Sequence, residues 1–174
     1  MNYGNIKFYD IANGEGIRTS LFVSGCTFEC PGCFNSESQS FTYGQLYTEE
    51  TEKLILDQVA KPYIAGLSIL GGDPLCQDPD GIAQLTHLCQ EVHKLGKNVW
   101  IWTGYTWENI RFKFLQHPDS NFANLIYNID ILVDGPFIES MKDPNIHWRG
   151  SRNQRVIDVQ ASYPTGQIYL KETQ

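Results

Sequence analysis

Four short apolar runs in this chain each end abruptly in a polar or glycine-rich turn. Residues 20–24 (SLFVS) lead into the loop GCTFECPGCFN, and residues 66–70 (GLSIL) into Gly71-Gly72-Asp73-Pro74. Residues 98–102 (NVWIW) lead into Thr103-Gly104, and residues 129–133 (IDILV) into Asp134-Gly135. Stretches of helical period lie between them. Thr48 stands as N-cap before Glu49-Glu50, with Leu54, Ile55 and Val59 directed inward. Ile82, Leu85, Leu88, Cys89, Val92 and Leu95 recur at helical spacing before Gly96, which suits a C′ position. Thr106 caps a third helix through Leu115. Strands alternating with helices predict βαβ units and a parallel sheet. In such a sheet the C-terminal strand ends share one edge, and ligands bind there. The expected fold is therefore α/β, a curled and incomplete parallel βα barrel with the four exits around one mouth. Residues 155–159 read as a last strand and residues 135–155 as a long ordered loop. Residues 1–174 read as one domain, in which the last residues, about 160–174, form a tail.

A chain of 174 residues with 41% hydrophobic content is enough for one core. The net charge of −7 argues against nonspecific binding to nucleic acid or to an anionic membrane. The opening MNYGNIKFYD has no basic segment followed by an apolar one, and no apolar run is long enough to span a membrane. The expectation is a soluble, cytoplasmic protein. In a reducing compartment, five cysteines are an unpromising disulfide framework and better read as ligands or redox groups.

Three of those cysteines, Cys26, Cys30 and Cys33, fall within eight residues in the pattern Cys-x3-Cys-x2-Cys. Structural zinc sites and ordinary iron–sulfur clusters take four protein ligands. One reading is a zinc site completed by Cys76, Cys89 or one of the four histidines. Cys89 lies in the apolar stripe of a helix and suits a small hydrophobe; Cys76, beside the mouth, is the better fourth candidate. The other reading is a 4Fe–4S cluster held through three irons, with the fourth open to a non-protein ligand. An open iron serves little purpose in an electron carrier but suits a substrate that must be ligated and then reduced.

This cysteine pattern at the end of a first strand resembles the radical S-adenosylmethionine superfamily. Gly71-Gly72-Asp73-Pro74 resembles that family's GGEP-type segment, which binds the methionine ammonium; glycines permit close approach and Asp73 supplies negative charge. Residues 10–18 (DIANGEGIR) resemble the D-x-x-N-G-x-G-x-R segment of glycyl-radical-enzyme activases, with Glu15 where many relatives carry Pro. Much of the superfamily places an aromatic before the last cysteine. Here Gly32 precedes Cys33 and Phe34 follows it, an order typical of the activating proteins of anaerobic ribonucleotide reductase. Residues 100–105 (WIWTGY) resemble that subgroup's WxWTGY segment. Asp134-Gly135-Pro136-Phe137, Asp143-Pro144 and residues 148–155 (WRGSRNQR) resemble its DGxF…DP…WRGSxNQR tail. The matches run from the N-terminus to about Arg155.

The resemblance implies a radical S-adenosylmethionine core and three cluster ligands, Cys26, Cys30 and Cys33. It implies S-adenosylmethionine held near Gly32, Cys33, Phe34, Gly71, Gly72, Asp73 and Thr103, with Phe34 over the adenine. Reductive cleavage would give methionine and a 5′-deoxyadenosyl radical, which abstracts hydrogen from a glycine of the reductase. No acid–base residue is needed beyond the cluster. The implied partners are the catalytic subunit of anaerobic ribonucleotide reductase and an electron donor such as flavodoxin. Too few βα units to close a barrel would leave a side gap for a protein substrate. Asp134 and Thr103 are candidate contacts at strand exits, and Arg149, Arg152 and Arg155 form a basic loop suited to an acidic surface. Two alternatives remain: activation of another glycyl radical enzyme such as pyruvate formate-lyase, and a non-catalytic iron–sulfur electron-transfer module.

Overall fold

In the computed structural model, which describes residues 1–171, a single seven-stranded sheet organises the chain. The elements in order are β1 (Asn2–Asp10), β2 (Arg18–Val23), β3 (Gln45–Leu46), α1 (Glu49–Val59), β4 (Gly66–Gly71) and α2 (Pro79–Lys94). They continue with β5 (Asn98–Trp102), α3 (Trp107–Lys113), α4 (Asn121–Tyr127), β6 (Ile131–Asp134), β7 (Arg155–Asp158) and α5 (Val159–Thr165). The strand order is β3-β1-β2-β4-β5-β6-β7. Among the described residues, no helix is long and apolar enough to cross a membrane.

The expectation of a parallel sheet holds only at its centre. β2, β4, β5 and β6 run parallel, whereas β1 pairs antiparallel with β2 and β3, and β7 pairs antiparallel with β6. The sheet is open, with β3 and β7 as its edges. The connections explain the departure, because a parallel return needs a crossover of a dozen or more residues. Residues 11–17 between β1 and β2 are too few for one. Between β6 and β7 the chain has only a 3-10 turn at Glu139–Met141, so no α-helix carries it back to the strand starts.

Period-two alternation sorts the side chains onto two faces. Leu21, Val23, Leu67, Ile69, Val99, Ile101, Leu132 and Ile157 are buried with Ile55, Val59, Leu85 and Leu88 of the helices in the main core. Trp100, Ile131, Val133 and Val156 form a second cluster on the other face, joined by Trp102 and Trp148. That face is covered by the β6–β7 loop. Trp148 packs edge-on against Trp100 at 4.9 Å, and its carbonyl accepts from Trp102 Nε1 at 2.7 Å. Its φ of +61° is an uncommon backbone state for a bulky residue, held in place by these two contacts.

Helix signals were mostly legible. Thr48 and Thr106 accept from Thr51 N and Asn109 N as caps, and Gly96 takes a φ of +71° after α2. Leu54 and Leu95, expected inside, are exposed. Leu54 sits beside the buried stripe of α1 rather than on it, and Leu95 is the residue on which α2 ends. α3 ends at Lys113 rather than at residue 115.

The N-terminal edge of the parallel strands is braced by Arg18, fully buried. Its guanidinium donates to Ser68 Oγ and the carbonyls of Leu67 and Asn98, and it lies 5.3 Å from the Trp100 ring. Burial lowers its pKa to about 10, so it stays charged. Glu15, at the position where many members of the resembled family carry Pro, pairs with Lys171 at 2.9 Å.

Candidate functional site

The opposite edge gathers the four exits. Val23 pairs with Gly71 and Trp102 with Val133, so the β2, β4, β5 and β6 ends sit side by side. The cysteine loop leaves β2 and closes on the 3-10 turn Ser36–Gln39, with Gly25 N donating to Ser38 O and Cys26 N to Gln39 O. Glu29 (φ +47°) and Gly32 (φ +71°) reverse the chain between the thiols, and Cys33 N donates to Cys30 O.

Gly72 carries the β4 exit under this loop. Its N–H donates to Val23 O, and Asp73 N donates to Gly25 O at 2.8 Å. A Cβ at Gly72 would stand 2.5 Å from Gly25 O and 2.7 Å from Ser38 O. The close approach that this glycine permits is therefore to the backbone of the cysteine loop.

Cys26, Cys30, Cys33 and Phe34 line one cleft of about 170 Å³ with Gly71, Gly72, Asp73 and Thr103. Gly32 lies on the exposed outer turn, where a Cβ would meet the Glu139 side chain. Phe34 is 65% exposed, 5.2 Å from the Phe137 ring, with Lys142 Nζ 4.7 Å from its own.

The two carboxylates at the exits are both buried, each 1% exposed, and both are occupied by protein donors. Asp73 accepts from Leu75 N, Gly104 N and Thr103 Oγ1 at 2.7–2.9 Å. It clasps the β4 exit to the β5 exit, and burial beside Cys76 raises its pKa to about 7. Thr103 spends its hydroxyl proton on that clasp. Asp134, expected from sequence as a contact, instead accepts from Trp107 N and from Arg155 Nε and Nη2.

Arg155 also forms a two-pronged pair with Glu108. The basic loop is thus smaller than expected. Arg155 is spent inside the protein, and Arg149 donates to Gln154 O while its buried Nε has no partner. Arg152 is the exposed cation of the three.

Gln154 and Phe137 carry no site signal of their own in the sequence, although both fall inside the WRGSRNQR and DGPF segments. Gln154 Oε1 accepts from Gly150 N and Ser151 N while its Nε2 donates to Gly135 O, tying the covering loop to the β6 exit. Phe137 lines the cleft opposite Phe34. Their signal was the motif itself, since neither residue type announces a site alone.

The donor set suits iron. Cys26, Cys30 and Cys33 are free, half-buried thiols on one loop that opens to the cleft. Burial raises the Cys30 pKa, against the Phe137 backbone N–H, which favours the thiolate. Cys26 is also raised, first by its hydrogen bond with Cys76 and then by burial. Cys26, Asp73 and Cys76 have their ligand atoms within 4.8 Å of one another. That trio is a poor zinc site, because both Asp73 oxygens already accept hydrogen bonds. Cys89 is fully buried in the main core. His87 pairs with Glu52 and His93 with Asp130, among residues that do not line the cleft.

Comparison with known proteins adds two findings. A family model described as a 4Fe-4S single cluster domain matches residues 12–157. An anaerobic ribonucleoside-triphosphate reductase-activating protein of Salmonella typhi is 41% identical over 160 residues, covering 90% of this chain and 97% of the relative. The protein of the same name from Escherichia coli K12 is 39% identical over 160 residues, with the same coverage. The one from Enterobacteria phage T4 is 35% identical over 158 residues, covering 90% of this chain and 93% of the relative.

Proposed function

The chain belongs to the 4Fe-4S single-cluster family of anaerobic ribonucleoside-triphosphate reductase-activating proteins, and on that footing we propose how its own residues carry out the activation. It is a radical S-adenosylmethionine activase of anaerobic ribonucleotide reductase, whose catalytic subunit is its protein substrate. Cys26, Cys30 and Cys33 would hold a 4Fe–4S cluster through their three thiolates, with its remaining coordination open to S-adenosylmethionine. Bound together, cluster and cofactor supply reductive cleavage to methionine and a 5′-deoxyadenosyl radical, with the electron drawn from an external donor of the flavodoxin type.

The remaining work is positioning, and it belongs to the protein. The Gly71-Gly72 exit offers backbone carbonyls to the methionine ammonium, and buried Asp73 adds a favourable field without leaving its clasp on Thr103 and Gly104. Phe34 and Phe137 supply aromatic surface for the adenine and exclude water from that end of the cleft. Gln154 holds the covering loop against Gly135, which keeps this wall in place.

A second groove runs between the sheet and the covering β6–β7 loop, past Asn13, Trp102, His147 and Trp148, and meets the first at Phe34. It is the way in for a glycine-bearing segment of the reductase. On this reading the open, curled sheet is part of a barrel, residues 1–174 act as one domain, and a reducing cytoplasm keeps the thiols available.

The observation that carries the reading is three free thiols and four parallel-strand exits around one cleft. The test is anaerobic reconstitution with iron and sulfide, then reduction in the presence of S-adenosylmethionine and the reductase. Expected are 5′-deoxyadenosine, methionine and a glycyl radical signal on the partner. A bound cluster with no 5′-deoxyadenosine would mean an electron-transfer module instead.

A further inference from the structure

Cys76 has no place in the activation chemistry, yet it stands against one of the three ligand thiols. Asp73 N donates to Gly25 O, which draws the Pro74–Cys76 turn against the start of the cysteine loop. The Cys26 and Cys76 sulfurs come within 4.8 Å, and Thr27 Oγ1 is 3.3 Å from Cys76 Sγ. Cys30 and Cys33 do not join this group. Closing the pair to a disulfide of about 2.05 Å needs less than about 3 Å of sulfur movement. Cys26 belongs to a loop and Cys76 to a single turn, both half-buried, so side-chain rotation supplies most of it.

We propose that Cys26 and Cys76 form a reversible disulfide when the protein without its cluster meets peroxide, so that Cys76 shields a ligand thiol from irreversible oxidation. One thiolate attacks a peroxide oxygen, the O–O bond breaks, hydroxide leaves and a sulfenic acid remains. The other thiolate attacks that sulfur, the S–S bond forms and a second hydroxide leaves. The protons of the two thiols neutralise both, so two thiols and one hydrogen peroxide give one disulfide and two waters. The bridge withdraws one of three cluster ligands, and no cluster assembles until a dithiol reduces it. Without Cys76, the sulfenic acid at Cys26 meets a second hydrogen peroxide, which gives up one oxygen to the sulfur and leaves as water, and the resulting sulfinic acid is not reversed by thiols.

The consequence for iron rests on reading Cys26 as a cluster ligand; the bridge itself does not. The iron-free protein is treated with stoichiometric hydrogen peroxide, alkylated, digested and mapped by mass spectrometry. Cys26–Cys76 is expected to carry more than half of the disulfide found. In parallel, parent and Cys76→Ser are oxidised with a several-fold excess of hydrogen peroxide, reduced with dithiothreitol and reconstituted with iron and sulfide. The parent is expected to regain at least about twice the iron of the variant. A dominant bridge within the Cys26–Cys33 loop, or equal recovery in the two proteins, overturns the proposal. Never-oxidised parent that takes up no iron instead overturns the ligand reading and leaves the peptide map to judge the bridge.

Discussion

Adding one methyl group at Gly72 tests whether the β4 exit and the cysteine loop are a single mechanical unit. Gly72 has no positive φ, so Gly72→Ala carries no backbone strain and its whole effect is steric. The added Cβ would lie 2.5 Å from Gly25 O and 2.7 Å from Ser38 O, and both are backbone atoms without a rotamer to escape through. Overpacking of this kind costs about 1–3 kcal/mol. Relieving it by moving the loop stretches Asp73 N–Gly25 O (2.8 Å) and Gly25 N–Ser38 O (2.7 Å). Those two bonds are worth about 1 kcal/mol each. The expected loss is about 3 kcal/mol, and for a chain of this size about 6–12 °C in melting temperature. Cys26 follows Gly25 directly, so iron uptake on anaerobic reconstitution should fall along with stability. Gly96→Ala is the matched control. It has φ +71° with nothing within 4 Å of the new Cβ, so it should lose about 1 kcal/mol and load iron normally. Parental melting and full iron in Gly72→Ala would refute the coupling.

Single alanine changes at Cys26, Cys30 or Cys33 should abolish the 4Fe–4S spectrum, whereas Cys76→Ala and Cys89→Ala should keep it; equal iron loss at Cys76 would make it a fourth ligand. Arg155→Ala strands the Asp134 carboxylate, which is 1% exposed, and should cost about 2–3 kcal/mol in urea unfolding. A loss under about 0.5 kcal/mol would show that the pair is not structural. Arg155 lowers the Glu108 pKa to about 2, so this interaction is fully present above pH about 4.5 and is lost as pH falls toward 2. The stability difference between parent and Glu108→Gln, followed by denaturant titration, should shrink over that interval; a constant difference contradicts the assignment. Arg152→Glu should melt like the parent and cleave cofactor normally, yet give less glycyl radical on the reductase, an effect that added salt reproduces in the parent. An undiminished radical would remove this cation from the docking surface.

Local signals were enough to recognise the strand exits, the caps at Thr48 and Thr106, the αL residue Gly96 and the cysteine spacing. Each depends on residues a few positions apart, where side-chain period and backbone permissiveness act directly. The ordered run of motifs from Asp10 to Arg155 also carried the family, because order along a chain is itself sequence information. Partnership was beyond reach. Asp73 and Asp134 look alike in sequence, each beside glycine at a strand exit, and both invite a reading as ligand contacts. Burial and pairing at separations of 30 and 21 residues made one a clasp on Thr103 and the other the counterion of Arg155. Chain direction at the sheet margins was equally hidden, since side-chain alternation is the same for parallel and antiparallel strands. The short 11–17 connection and the 135–154 segment, which has no α-helix, decided it. β1 escaped notice because as an outer strand it pairs few apolar residues with the core, and α4 and α5, seven residues each, are too short for a period to stand out. Only folding placed Cys76 against Cys26, fifty residues away in the chain, because the register of β2 on β4 sets their two turns side by side.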